Sequence, residues 1–553
     1  MSSERAAAAA IGWRRAALVG ALVAAIVTLP GLGTGSLWDN SETAYGEVAR
    51  EILLYRDPIV MHLNGRPWFV QPPLYFWIAA AFAKLLGVTS LALRLPSALA
   101  TIGMGAVVGG IVARFASERV AILTTVILTT SLMQAIIGRL AIMDALLDLC
   151  VAAAILAWFG SLRTGSARAW YLGSAAVACG SLAKGPVAPV VALLVLVPWF
   201  VWERRRGTAL KVPALSTVLG GFAVFAAVVL PWTIALVARV GIGSLGTLVG
   251  HYTVGRYLGT IENQSGPIWY YLPVVVLGFF PWFAFLLPAL VDAARAGRNP
   301  DRSLERLAVV WAIAPLIFFS LAKTKLPNYI ALELPALAFL VAVWFDRIAR
   351  LVDRRAAVAW AALVPATIAG IAFAIARFSR DMHFGGETVH VTGDLAILGI
   401  IVGTGAIACF LGLTVRALAP VAPYALAATS VAAILVVALI AEPQVERFKP
   451  IPTLAAIIDR ERRPGDVVAI QGIGGDNALI FYTRPPVAIL NSSTAGVVDP
   501  ATDPRRAICS APRAFVVSSR TRPAIDPTYG RNRRTLATAD GAVLYLYDGP
   551  ACS

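Results

Sequence analysis

Charged side chains are scarce in this sequence: 14% of its 553 residues are Asp, Glu, Lys or Arg, while 58% are hydrophobic. Soluble globular chains run near a quarter charged and a half apolar, so a soluble protein is excluded and a membrane protein remains. No basic helix or tail gathers the net charge of +16. The Lys and Arg residues fall mostly in short loops between apolar runs, the positive-inside pattern, and no nucleic-acid partner is expected. Cysteine is also sparse, and Cys150, Cys179 and Cys409 lie inside apolar segments as small hydrophobes. Cys509 and Cys552 share the tail, where a disulfide tying down the last strand and two free thiols are both open. No cleavable leader is expected: the apolar run after Arg14 and Arg15 is long enough to span and is followed by Gly-rich sequence without a convincing small-residue cleavage site, so it is expected to stay as the first transmembrane helix.

What is present is a succession of apolar runs. A span needs roughly 20 apolar residues, and that window gives about thirteen candidates. They centre near Ala25, Gly103, Val126, Ala153, Ala176, Leu194, Val224, Leu277, Pro315, Ala336, Ile368, Ile401 and Ala432. Arg-bearing loops at 114–119, 163–168, 204–206, 295–306 and 347–355 alternate with the others and are therefore cytoplasmic. An odd number of spans then puts the carboxyl tail outside. The expected architecture is a polytopic α-helical membrane protein, with a membrane part at 1–441 and a small soluble α/β domain at 442–553. The tail reads as a helix at 451–462 and strands at 467–470, 487–490, 514–518 and 543–547. Its Gly472-Ile473-Gly474-Gly475-Asp476-Asn477 run lacks dinucleotide-binding spacing and reads as a tight turn in preference to a phosphate cradle.

Two outer loops, 33–90 and 237–268, together with short outer connections, break the charge rule. Arg50, Arg66, Lys84, Arg139, Lys184, Arg256, Lys323 and Lys325 all fall on the outer side. A single cation there snorkels or complements a helix C-terminus. A set converging on one face suits the phosphate of a lipid carrier, met by Lys as a point charge and Arg as a fork.

Carboxylates gather near the same face. After Trp38-Asp39-Asn40-Ser41-Glu42, residues Ala44, Val48, Ile52 and Tyr55 fall on one side of a helix, while Glu47, Arg50 and Glu51 project elsewhere, so an amphipathic helix lying along the membrane is expected. Asp39 reads either as an N-cap with Glu42 at capping-box spacing or as a general base at the lipid–water boundary. Asp144 and Asp148, four apart, share one helix face at the start of a span, and Arg139 is the expected partner of Asp148. His62 and His251 lack close ligand spacing to each other, so surface histidines are favoured over a metal site and any divalent metal is left open.

The Asp39 to Glu51 loop, Asn64-Gly65-Arg66-Pro67, Gln71-Pro72-Pro73-Leu74-Tyr75-Phe76-Trp77, Ala183-Lys184-Gly185, Gly266-Pro267-Ile268-Trp269-Tyr270-Tyr271, Phe280-Pro281-Trp282 and Lys323-Thr324-Lys325-Leu326-Pro327-Asn328-Tyr329 follow one another over roughly the first 345 residues. In this order they resemble the bacterial lipid A 4-amino-4-deoxy-L-arabinose transferases and the protein O-mannosyltransferase-like enzymes. The resemblance implies a GT-C-type membrane fold with helices on the outer face and a cavity for carrier lipid. It implies inverting displacement at the anomeric carbon, with polyprenyl phosphate leaving. By position it assigns Asp39 and Glu42 to the acidic motif of the first loop, and Arg50, Lys184, Arg256, Lys323 and Lys325 to the carrier phosphate; Asp144, from its place at the start of a span, is the third catalytic candidate. Two departures stand out: Ser41-Glu42 replaces adjacent Asp-Glu, and Gln71 replaces the Lys that precedes Pro in the aminoarabinose enzymes.

The expectation is thus an inner-membrane glycosyltransferase, working as a monomer without a required cofactor. It would move a sugar from a polyprenyl-phosphate donor to a lipid, glycan or protein acceptor on the periplasmic side. A transporter or lipid flippase without chemistry is the alternative, and it predicts repeated halves and helices broken at the midplane, whereas no repeat is visible here.

Overall fold

The computed structural model describes residues 3–38, 40–261, 264–295, 302–351, 355–378, 382–384, 387–389, 392–490, 502–520 and 531–549. The chain opens with α1 (Ser3–Thr28), α2 (Glu42–Tyr55), α3 (Leu74–Leu86), α4 (Ser90–Phe115), α5 (Glu118–Thr130), α6 (Leu132–Ile137), α7 (Asp144–Thr164), α8 (Ala167–Lys184), α9 (Val187–Arg205) and α10 (Leu215–Val240). A short hairpin of β1 (His62–Leu63) and β2 (Arg66–Pro67) separates α2 from α3. Local chemistry sets several starts: the hydroxyls of Thr89, Ser117 and Ser166 accept from backbone N–H groups one turn into α4, α5 and α8.

Among the described residues, eight helices are long and apolar enough to cross a membrane, or nine if the pair Tyr271–Gly278 and Trp282–Arg295, bent by 111°, is one span. That is fewer than the thirteen runs read from hydropathy. Val126 lies in α5, only 13 residues long, because the chain turns at Ser131 into α6. Ile368 lies in a 16-residue helix, Leu363–Phe378. A sliding window averages across such breaks.

Small residues bring α1 and α4 together. A Cβ on Gly20 would stand 2.3 Å from the carbonyl oxygen of Gly105, and one on Gly105 would stand 2.4 Å from that of Gly20. In a bilayer, where apolar burial gives little net drive, such close backbone approach supplies much of the association.

Beyond the short hairpin of β3 (Met382–Phe384) and β4 (Glu387–Val389), the tail holds β5 (Val467–Gln471), β6 (Val487–Leu490), β7 (Ala514–Ser519), β8 (Asn532–Ala539) and β9 (Ala542–Asp548). They form one sheet in the order β6-β5-β7-β9-β8, with β5 parallel to β6 and β7, and β9 antiparallel to β7 and β8. The helix Pro450–Glu461 and the four expected strands are found. β8 was not expected: its Arg533, Arg534 and polar neighbours lack an apolar alternation, as suits a charged edge strand. The Gly472–Gly475 stretch is the tight turn after β5, and it opens the helix Asp476–Thr483. Cys509 is disulfide-bonded, while Cys552 lies outside the described residues.

This sheet unit sits on the 33–90 loop. Asn64 donates through Nδ2 to the Val487 carbonyl and accepts from the Val487 N–H, both at 2.9 Å. Leu37 N–H donates to the Tyr482 hydroxyl at 2.8 Å. The polar side of α2 is not solvated as its amphipathic pattern suggests: Glu47 and Glu51 are fully buried, Glu51 accepting from Gly65 N–H at 3.0 Å, whereas Tyr55 is exposed.

Candidate active site

α7 and α8 form an antiparallel pair joined at Gly165-Ser166, with Gly165 at φ 82° ending α7 and Ser166 capping α8. Two helices of similar length, 21 and 18 residues, bring the start of the first beside the end of the second. Asp144 therefore meets Lys184, Oδ1 to Nζ at 2.6 Å. Asn328 Nδ2 donates to the same Oδ1 at 2.6 Å, and the Lys184 ammonium lies 5.6 Å from the centre of the Tyr329 ring. Gly185 at φ 67°, followed by Pro186, ends α8 and starts α9, so Lys184 stands at a corner.

This corner opens on a cavity of about 1590 Å³, larger than the roughly 300–1,000 Å³ of an ordinary small-ligand site. Its walls are mostly apolar, and Glu42, Arg139, Asp144, Asp148, Lys184, Arg256 and Glu442 supply charge. The structure thus gathers six of the singled-out charged residues, Glu42, Arg139, Asp144, Asp148, Lys184 and Arg256, at one cavity. Arg256 approaches Gln264 Oε1 at 3.4 Å and lies over the Tyr252 ring.

Other expectations are corrected. Arg50 does not line the cavity: it pairs with Glu47 at 2.5 Å and donates to the carbonyls of Phe481 and Ile480, so it fastens the sheet unit. Lys325 turns away, donating from Nζ to the carbonyls of Ser320 and Ala322 at 2.7 and 2.8 Å; it caps the end of the helix Ser303–Leu321, whose orphan carbonyls attract a cation. Lys323 is exposed and also absent from the lining, although Thr324 between them belongs to it. Arg139 does not pair with Asp148. It donates to the carbonyls of Val27, Thr28 and Pro30 at the end of α1, and Asp148 Oδ2 is buried with no hydrogen-bond partner.

Glu42 is held tightly. Both its oxygens lie 2.9 Å from Arg94, Oε1 accepts from Ala141 N–H at 2.5 Å, and Oε2 accepts from Trp38 N–H at 2.9 Å. α2 begins at Glu42 with Ser41 as N-cap and no side-chain capping bond, so the capping-box register is not the one adopted. Asp39 lies outside the described residues, but Trp38 and Asn40 on either side of it line the cavity. The reading of the sequence missed Arg94, an Arg inside an apolar run and 2% exposed, whose position was itself the signal. His62 is half-buried against Tyr55 and His251 is exposed; among the described residues no group of three or more His, Cys, Asp or Glu is placed to hold a metal.

Beside the cavity wall, burial pushes the Glu47 carboxyl up to about 8, against the pull of Arg50 and reinforced by Glu51 a turn away.

Residues 70–232 match the family described as dolichyl-phosphate-mannose-protein mannosyltransferase. The undecaprenyl phosphate-alpha-4-amino-4-deoxy-L-arabinose arabinosyl transferase of Shewanella sediminis is 30% identical over 318 residues, 56% of each chain. That of Pectobacterium atrosepticum is 31% identical over 333 residues, 58% of this chain and 57% of the relative. The chain thus matches somewhat over half the length of these curated relatives. The crystal structure of ArnT from Cupriavidus metallidurans bound to undecaprenyl phosphate superposes with a TM-score of 0.74 at 22% identity, covering 96% of this chain and 97% of that one. The chain has the ArnT fold. Its apo form agrees, with a TM-score of 0.75. The resemblance read from the sequence is supported over residues 70–232 by the family model, over somewhat more than half of the chain by the relatives, and over nearly the whole chain by the fold, and the protein is a multi-pass membrane protein.

Proposed function

We propose that the chain is an inverting glycosyltransferase that moves a sugar from a polyprenyl-phosphate carrier to an acceptor lipid, glycan or protein at the periplasmic face of a bacterial inner membrane. The observation that carries this reading is the cavity: long apolar walls suit a polyprenyl tail, and Lys184 and Arg256 at its polar part suit a phosphate. The relative solved with undecaprenyl phosphate makes the same ligand class the first to test here. In this reading the fold makes about thirteen helical crossings, a membrane part at 1–441 and an outer α/β domain at 442–553, and it acts as a monomer without nucleic acid.

The chemistry follows from the charges. The bond between the anomeric carbon and the phosphate oxygen breaks, and the oxygen keeps the electron pair. The acceptor oxygen attacks the opposite face, which inverts the configuration. Lys184 and Arg256 stabilise the growing phosphate charge, and such preorganised cations supply the largest rate term in many enzymes. Asp144 holds Lys184 in place. Glu42, its oxygens already occupied by Arg94 and two N–H groups, supports the loop that carries Asp39, and Asp39 takes the proton when the acceptor is a hydroxyl. The remaining named cations, Arg50, Lys323 and Lys325, are left as support for that outer face.

The test is transfer of label from radiolabelled polyprenyl-phosphate sugars by the purified chain. Lys184→Ala, Arg256→Ala and Asp39→Asn are each expected to reduce it strongly. Wild-type rates in all three remove the site assignment, and a wild type that moves label across vesicles without forming a glycoside favours the flippase alternative.

A further inference from the structure

The glycine-rich turn of the tail has no task in the reaction just described, yet it reaches the cavity. Asn477, in the first turn of the helix Asp476–Thr483, lines the same cavity as Asp144 and Lys184. Its Nδ2 donates to the Asn40 carbonyl at 3.3 Å. That contact fixes the amide: a carbonyl accepts only from the NH₂ group, so Oδ1 faces the other way. Asn477 is 5% exposed, and Oδ1 is buried without a hydrogen-bond partner. Such an orphan oxygen is rare in a folded interior and calls for a partner from outside the chain.

Docking does not explain it. Three other contacts already secure this unit on the first outer loop: the Arg50 guanidinium on the carbonyls of Ile480 and Phe481, Leu37 N–H on the Tyr482 hydroxyl, and the reciprocal Asn64–Val487 pair. The missing partner must donate, because an amide oxygen only accepts. A fully ionised phosphate is unsuitable, since it has no proton to donate to an amide oxygen.

We propose that Asn477 is a specificity-determining residue of the cavity, its amide oxygen receiving a hydrogen bond from a hydroxyl of the transferred sugar or of the acceptor. The inference rests on the glycosyltransferase reading and gives the outer unit a role in choosing the substrate.

The test uses the full chain and two readouts. Native mass spectrometry compares binding of undecaprenyl phosphate with undecaprenyl-phosphate mannose. Asn477→Ala leaves the bare carrier's affinity unchanged and weakens the mannosylated carrier about fivefold if the sugar is the partner. If the acceptor is the partner, donor affinities hold and the KM for a solubilised envelope glycolipid extract rises about fivefold in the transfer assay. Asn64→Ala, which loosens docking away from the cavity, is the control: it lowers thermal stability without either selective loss. Equal donor affinities with no rise in acceptor KM overturn the inference, as does the same selective loss in Asn64→Ala. A wild type that transfers nothing counts against the glycosyltransferase reading, while the binding comparison still decides the role of Asn477.

Discussion

Arg306 and Asp148 are both ionisable side chains sunk in the helix bundle, and they are treated in opposite ways. Arg306, 2% exposed, forms an ion pair through two of its nitrogens with Glu203, which is fully buried near the end of α9. Nearby, Arg347 pairs with Asp292 and Glu305, and Asp346 lies between Arg119 and Arg350. At that end every one of these carboxylates has an arginine. Sixteen residues back along α9, roughly 24 Å at helical rise, the cavity end differs: Lys184 is committed to Asp144, and Asp148 Oδ2 has no partner. Where opposite charges are matched, removing either one exposes the desolvation cost of the other. Where they are not, the chain holds capacity for a group it does not itself contain.

The largest expected effect breaks the matched end. Arg306→Ala strands Glu203 and should cost about 3–5 kcal/mol, read as a large drop in the thermal unfolding midpoint. Arg306→Met combined with Glu203→Leu should recover most of it. A small loss in the single variant would mean that water reaches this end and that the two ends do not differ in kind. Next comes Lys184→Ala, expected to lower transfer about 10²- to 10³-fold with a smaller loss of stability than Arg306→Ala, because the cavity admits water to Asp144. If its unfolding midpoint falls as far as that of Arg306→Ala, Lys184 is scaffold.

Much of this contrast could be read from the sequence, but only where the signal is local. Apolar runs located the helices, and Lys184 and Asp144 each stood out as charges at span ends. Their mutual contact did not, because it depends on how far two antiparallel helices run before they turn. Lys325 shows the reverse error: its place just after an apolar run is the ordinary setting of a cation on helix C-terminal carbonyls, and that simpler reading holds. The polar side of α2 looked solvated because no periodicity reveals that Gly65 of the same loop folds back to donate to Glu51, or that the unit starting some 400 residues later receives Arg50. Asn477 and Asn40 stand 437 residues apart, a separation that no periodicity encodes.

A smaller effect sharpens the unmatched end. Asp148→Leu removes a buried carboxyl that has no cation, so stability should hold or rise by about 1 kcal/mol, while transfer should fall about tenfold if the carboxyl meets substrate. Asp148→Asn separates charge from hydrogen bonding. Unchanged transfer in both variants would make Asp148 a tolerated oddity of α7.

The smallest effect concerns Glu47, a buried carboxylate with an arginine that still keeps its proton. Its folded value of about 8 stands above the ordinary 4.5, so the folded chain binds this proton more tightly than the unfolded chain. Stability from this source is fully present below about pH 4.5, falls as pH rises, and is gone above about pH 8. Glu47→Gln should therefore flatten the decline in unfolding midpoint between about pH 5 and pH 8, with little change at the acid end. Parallel slopes for wild type and variant would show that Arg50 keeps Glu47 ionised, which would place this carboxylate with the matched pairs of the far end.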